Sequence, residues 1–166
     1  MDDFGPDVGG RQGMSLPTST HARQPMLKTL ITAVIALAAG SAMAQTTPPE
    51  GKIGINYNRC DNTYDGWGAH LWKDPGIPIP GVEWQKPMPP TGKSDFGVYW
   101  HADFAEFGGK GKVNYIIHKG DTKEQGGRDM SFDGKTVKEI WVLNGDRKIY
   151  TSLDDAKKAR AENPCK

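Results

Sequence analysis

Apolar and polar positions alternate with a period of two over several short stretches of this chain. In "KIGINYN" (52–58), Ile53, Ile55 and Tyr57 fall on one side, and Gly54, Asn56 and Asn58 on the other. That is the pattern of a half-buried strand. The same period predicts strands at 67–73, at 96–104 ("FGVYWHADF"), at 112–119 ("KVNYIIHK") and at 136–144 ("TVKEIWVLN"). A shorter piece falls at 130–132. Between these runs lie turn formers: "CDNTYDG" at 60–66, "EFGGKGK" at 106–112 and a polar loop at 120–129. Gly145-Asp146, set between 136–144 and "RKIYT" (147–151), reads as a hairpin. Residues 74–95 hold repeated prolines, which cannot donate to a sheet ladder, so no central strand is expected there.

The pattern changes at the end. "SLDDAKKARAE" (152–162) predicts one short helix. Ser152 can cap it, with Asp155 three residues on. Asp154 and Asp155 suit the positive end of the helix dipole, and Lys157, Lys158 and Arg160 the other end. Short strands at regular spacing with turn signals between them predict an all-β fold, an immunoglobulin-like antiparallel β-sandwich with a short C-terminal helix.

The N-terminal region reads differently. "MLKTLITAVIALAAGSAMA" (26–44) has a lysine, an apolar stretch and a small-x-small site at Ala42-Met43-Ala44, the order of parts in a secretory signal. Its apolar stretch falls short of the ~20 residues that span a bilayer. Cleavage after Ala44 is expected to leave one small domain, 45–166, in the periplasm or outside the cell. Residues 1–25 are polar and aperiodic and read as an over-called, disordered start. No membrane insertion is expected once the signal is removed.

Charge excludes some partners. Of 166 residues, 21 are Lys or Arg and 20 are Asp or Glu, for a formal net charge of +1. Acids and bases are interleaved, with no basic stripe of the kind nucleic-acid binding requires. The two cysteines, Cys60 and Cys165, both lie in the exported part. An oxidising compartment permits a disulfide between them. It would close a loop of ~100 residues, worth up to ~4–5 kcal/mol in the chain-entropy model. Two free thiols are the alternative. Ligand spacing does not support a metal site at His70, His101 or His118, and no cofactor is expected.

The strand within "YDGWGAHLW" (64–72) holds the candidate chemistry. Side chains alternate faces along a strand. Trp67, Ala69 and Leu71 therefore share one face, which reads as core. Gly68, His70 and Trp72 share the other. Rings at i and i+2 lie about 6.5–7 Å apart, the order of one sugar unit. A pyranose offers an apolar face of C–H groups that a flat indole or imidazole can match at little entropic cost. Its hydroxyl rim wants charged donors and acceptors close by. Trp84, in the proline-rich loop, can lid the core or flank a ligand. Trp100 and Trp141 sit in alternating strands and read as core.

"YDGWGAHLW", "FGVYW", "IIHKGDTKEQGG" and "EIWVLNGDRKIYTSLDDA", in that order and spacing, resemble the pullulanase-associated domain, the family 41 carbohydrate-binding modules. The resemblance runs from about Ile53 to Ala159. It implies a β-sandwich that binds α-1,4-linked glucans such as starch, glycogen and pullulan. It also implies a site built from the aromatic strand and the "HKGDTK" segment. Carried across, it makes His70 and Trp72 the platform, Lys119 a donor, and Asp121 or Glu124 an acceptor. As the first ring of the motif strand, Trp67 joins the candidate set although parity turns it inward. Glu124 stands where the motif usually has Asp. The chain stops at "ENPCK" instead of leading into further pullulanase domains, so a stand-alone module without glycosidase activity is expected. Paired acids facing each other across a cleft are not expected in so small a chain. The alternatives are an exported protein-interaction sandwich or a truncated pullulanase remnant.

Overall fold

The computed structural model describes residues 47–165, so the predicted signal at 26–44 and the stretch before it lie outside the described residues. The chain forms β1 (Lys52–Asn58), β2 (Gly68–Lys73), β3 (Ile77–Pro78), β4 (Gly92–Lys93) and β5 (Val98–Asp103). There follow β6 (Lys112–Lys119), β7 (Thr122–Lys123), β8 (Met130–Asp133), β9 (Glu139–Leu143) and the helix α1 (Leu153–Glu162). One sheet has the order β4-β5-β1-β9. The other has β3-β2-β6-β7, with β8 also paired to β6. The two are layered as an all-β sandwich.

The alternation read from the sequence is what builds the core. Ile53, Ile55 and Tyr57 of β1 are fully buried, as are Leu71 of β2, Trp100 of β5 and Val113 and Tyr115 of β6. Each such side chain contributes about 1.5–3 kcal/mol of transfer free energy. The second face of β1 is buried too, which the alternation did not predict. β1 is the central strand of its sheet, between β5 and β9, and Pro48 of the lead-in packs over Gly54. Asn56 on that face is only 1% exposed. It donates to Glu139 Oε1 at 2.8 Å and to the Ile140 carbonyl at 3.2 Å.

Three expectations change. β9 pairs with β1 in parallel, from Gly54↔Glu139 to Asn58↔Leu143. The chain crosses over from the other sheet after β8 and meets β1 at the same end from which β1 sets out. β9 begins at Glu139 and not 136, because Thr136 and Val137 are tied into a turn on the Asp133 carbonyl, at 3.2 and 2.9 Å. The hairpin at 147–151 is reduced to one bridge, Trp141↔Tyr150.

The proline-rich segment forms no central strand, as expected: it supplies the two-residue edge strands β3 and β4 and a single bridge from Met88 to Ala69. Within it, two reciprocal backbone bonds join Glu83 and Lys86 at 3.1 and 3.0 Å, making a tight hairpin with Trp84-Gln85 at its tip.

The C-terminal helix is capped as its sequence implies: the Asp155 amide donates to Ser152 Oγ at 3.1 Å. A Cys60–Cys165 disulfide ties the end of the chain to the turn after β1, with Cα atoms 5.3 Å apart. Arg160 of the helix donates to Asn58 Oδ1 at 3.1 Å and lies 3.2 Å from Cys60 Sγ. Among the described residues, no helix is long and apolar enough to cross a membrane.

Candidate functional site

β2 and β6 pair antiparallel with Gly68↔His118, His70↔Ile116 and Trp72↔Asn114. All six of these side-chain positions point to the outer face of their sheet, while Ala69, Leu71, Tyr115 and Ile117 point into the core. The rings of His70 and Trp72 stand 5.6 Å apart, tilted by 38°. Both are half-buried.

Trp84 completes the cluster. From the hairpin tip its indole lies flat on the His118 imidazole, 4.0 Å away and within 4° of parallel, and meets His70 edge-on at 5.5 Å. His118 is thereby reduced to 1% exposure. Its Nδ1 lies 2.9 Å from the Gly120 carbonyl, and a carbonyl only accepts, so Nδ1 carries the hydrogen. His118 Nε2 and His70 Nδ1 are buried without a protein partner. Burial holds the His70 imidazole below its usual value. The neighbouring His118 acts in the same direction, and the Glu83 backbone and the Asp129 carboxylate oppose it. A neutral imidazole is the less hydrated form, suited to lie against an apolar surface.

The polar candidates separate. Lys119 and Asp121 are exposed at the β6–β7 turn. The stem of Lys119 crosses Gly66, where a Cβ would sit 3.2 Å from its Cε. By strand parity it leaves the sheet on the side opposite His118. The cation on the aromatic side is Lys123. The pairing His118↔Lys123 places both on one face, and Lys123 Nζ stands 4.8 Å from the Trp84 ring centre.

Two candidates are drawn inward. Trp67 is 7% exposed, against Tyr57 at 5.8 Å and under the Arg59 guanidinium at 4.3 Å. It belongs to the core and takes no part in the open face. Glu124 is 7% exposed and its carboxylate is filled internally. It accepts from the Tyr57 hydroxyl, from Arg59 at 3.1 Å, from Asn144 Nδ2 at 2.9 Å and from the Gly145 amide at 3.2 Å. Burial first, and then this carboxylate, push the Tyr57 phenol far above its usual range. A carboxylate with four internal donors is not an acceptor for a ligand on the far side of the sheet. Its neighbour in sequence faces the other way, and strand alternation is the cause.

Residues 51–151 match the family model described as Bacterial pullanase-associated domain, and the chain belongs to that family. Among curated proteins, it is 34% identical over 73 residues to an α-amylase of Streptomyces lividans, covering 44% of this chain and 7% of the amylase. Among solved structures, it is similar to family 41 carbohydrate-binding modules from streptococcal virulence factors, studied for α-glucan recognition. There the identity is 23%, the TM-score 0.52, and coverage 62% of this chain and 48% of the other. A Klebsiella pneumoniae pullulanase complexed with maltotriose matches at 19% identity and a TM-score of 0.57, over 70% of this chain and 12% of that one. These structural likenesses establish a shared fold. The chain spans less than half the length of each of these relatives.

Proposed function

We propose that this domain is a non-catalytic module that binds α-1,4-linked glucans on the outer face of the β2–β6 sheet. The observation that carries the reading is the grouping of His70, Trp72 and Trp84 on one open face, with Lys123 beside Trp84. Three rings from two chain segments give a bent platform for the apolar faces of successive pyranoses. Lys123 is placed to donate to hydroxyls, with Asp121 at the adjacent turn as a rim contact, whereas Lys119 leaves the sheet on the other side and contributes less. Membership of a pullulanase-associated family and likeness to modules studied for α-glucan recognition support the ligand class. The Cys60–Cys165 disulfide supports an oxidising compartment, periplasmic or external.

Calorimetric titration with maltotetraose tests the reading. The wild-type protein is expected to bind, and Trp72→Ala to lose at least tenfold in affinity with its unfolding transition little changed. No heat at millimolar sugar would overturn the glucan assignment and favour a protein-docking sandwich. Unchanged affinity of Trp72→Ala would overturn the site.

A further inference from the structure

The opposite sheet repeats the pattern of the platform. On β5, Val98, Trp100 and Ala102 are buried, so Tyr99 and His101 point outward. Their rings stand 4.7 Å apart, tilted by 38°. That is the tilt found between His70 and Trp72. Tyr99 is held flat by its neighbour strand. Its ring lies across Gly92 of β4, where any Cβ would collide with the phenol.

β4 pairs with β5 only at Val98 and Tyr99. From His101 onward, the edge of β5 borders a pocket of about 320 Å³ whose wall includes Pro80 and Pro89. Lys52, Asp103 and Glu106 also line it, with Lys52 bonded to Asp103 at 2.8 Å. The volume is at the small end of ligand sites, which run roughly 300–1,000 Å³. A tilted ring pair beside a pocket bearing Glu106 and the Lys52–Asp103 pair offers both things a sugar needs: apolar stacking and strong hydroxyl hydrogen bonds.

We infer that Tyr99, His101 and the adjoining Lys52–Asp103–Glu106 pocket form a second saccharide-binding site, for a glucosyl unit of an α-glucan, on the sheet opposite the first. The ligand class rests on the function proposed above, whereas the site rests on its own geometry. The two ring pairs stand on different sheets of the sandwich, so each can stack on its own sugar unit. The domain would hold two chains, or two branches of one polysaccharide, and gain avidity on a branched particle.

The experiment is NMR titration of the purified protein with maltotetraose, together with light scattering in glycogen solution. The His101 ring resonances are expected to move in wild type and, at similar sugar concentration, in Trp72→Ala. Wild type is expected to raise glycogen scattering by cross-linking. Tyr99→Ala and, independently, His101→Ala should abolish that rise while remaining bound to a glycogen gel. Resonances of His101 that stay fixed at saturating sugar, or that stop moving in Trp72→Ala, would overturn the second site. Movement at His101 with none at His70 and Trp72 would uphold it and overturn the first site instead.

Discussion

Trp67 and Trp72 lie five residues apart on one segment, and their surroundings share almost nothing. Trp67 faces the sandwich interior, between Tyr57 and the Arg59 guanidinium. Trp72 stands half-exposed beside His70 on the outer face. Lys123 and Glu124 repeat the contrast in two adjacent residues, one over the Trp84 ring and one sealed among four donors. Residue type therefore says little about role here, whereas the side of the sheet says most of it. The inner side should govern stability and the outer side affinity.

The largest effects should come from the inner side. Trp67→Ala removes a buried indole and should cost ~3–5 kcal/mol. Glu124→Ala leaves the Tyr57 hydroxyl, Asn144 Nδ2 and the Gly145 amide without this acceptor, at about 1–3 kcal/mol for each buried donor left unsatisfied, while Arg59 keeps its two bonds to Asp61. Both are read from urea unfolding midpoints. A destabilised Glu124→Ala protein whose folded fraction still binds maltotetraose would keep the two sides distinct. Loss of binding from a fully folded Glu124→Ala protein would break the distinction.

Reduction of the Cys60–Cys165 bridge comes next. It spans 105 positions, and loops of that length are worth up to ~4.7 kcal/mol, with ~2–4 typical. Unfolding with and without reductant should show a loss in that range, with sugar affinity unchanged below the transition. On the outer side, Lys123→Ala should weaken maltotetraose binding severalfold, because it removes the charged donor to the sugar hydroxyls. Lys119→Ala should weaken it less. The reverse order would move the polar edge of the site to the Gly66 side.

What could be read from the sequence follows from how local each feature is. The inward faces of β1 and β2, and the inward turn of Trp100 on β5, follow from alternation alone, because a strand turns each side chain by half a revolution whatever its partners. The inward turn of Trp67 and the outward turn of Trp72 were legible for that reason. The place of Trp84 was not, since a proline-rich loop has no period and its path depends on the Glu83–Lys86 hairpin. Reading 120–129 as loop leaves Lys123 out of the candidates and gives Glu124 no face. Two more residues of strand after the Gly120-Asp121 turn put Lys123 opposite His118 and send Glu124 inward. Asn56 falls on the polar side of β1, and alternation cannot show that a parallel partner, β9, brings Glu139 and the Ile140 carbonyl to it.

The smallest effect should be the response to acid. Burial holds the His70 imidazole below its usual value of 6.5, with His118 adding to this and Glu83 and Asp129 opposing. Lys123 stands on the neighbouring Trp84. A histidine whose folded value is depressed contributes stability that is fully present above the unfolded value and is lost as pH falls through the folded one. Near neutrality the ring is therefore uncharged and available for stacking. Below that range, charging the ring sets a cation under the platform and raises its hydration. Wild type compared with His70→Gln, in unfolding midpoint and maltotetraose affinity between pH 7.5 and 5, isolates the term from carboxylates common to both. The wild-type advantage in both quantities should shrink toward acid. An advantage that holds constant across the range would mean that His70 contributes as a spacer between Trp72 and Trp84 and not as a neutral stacking ring.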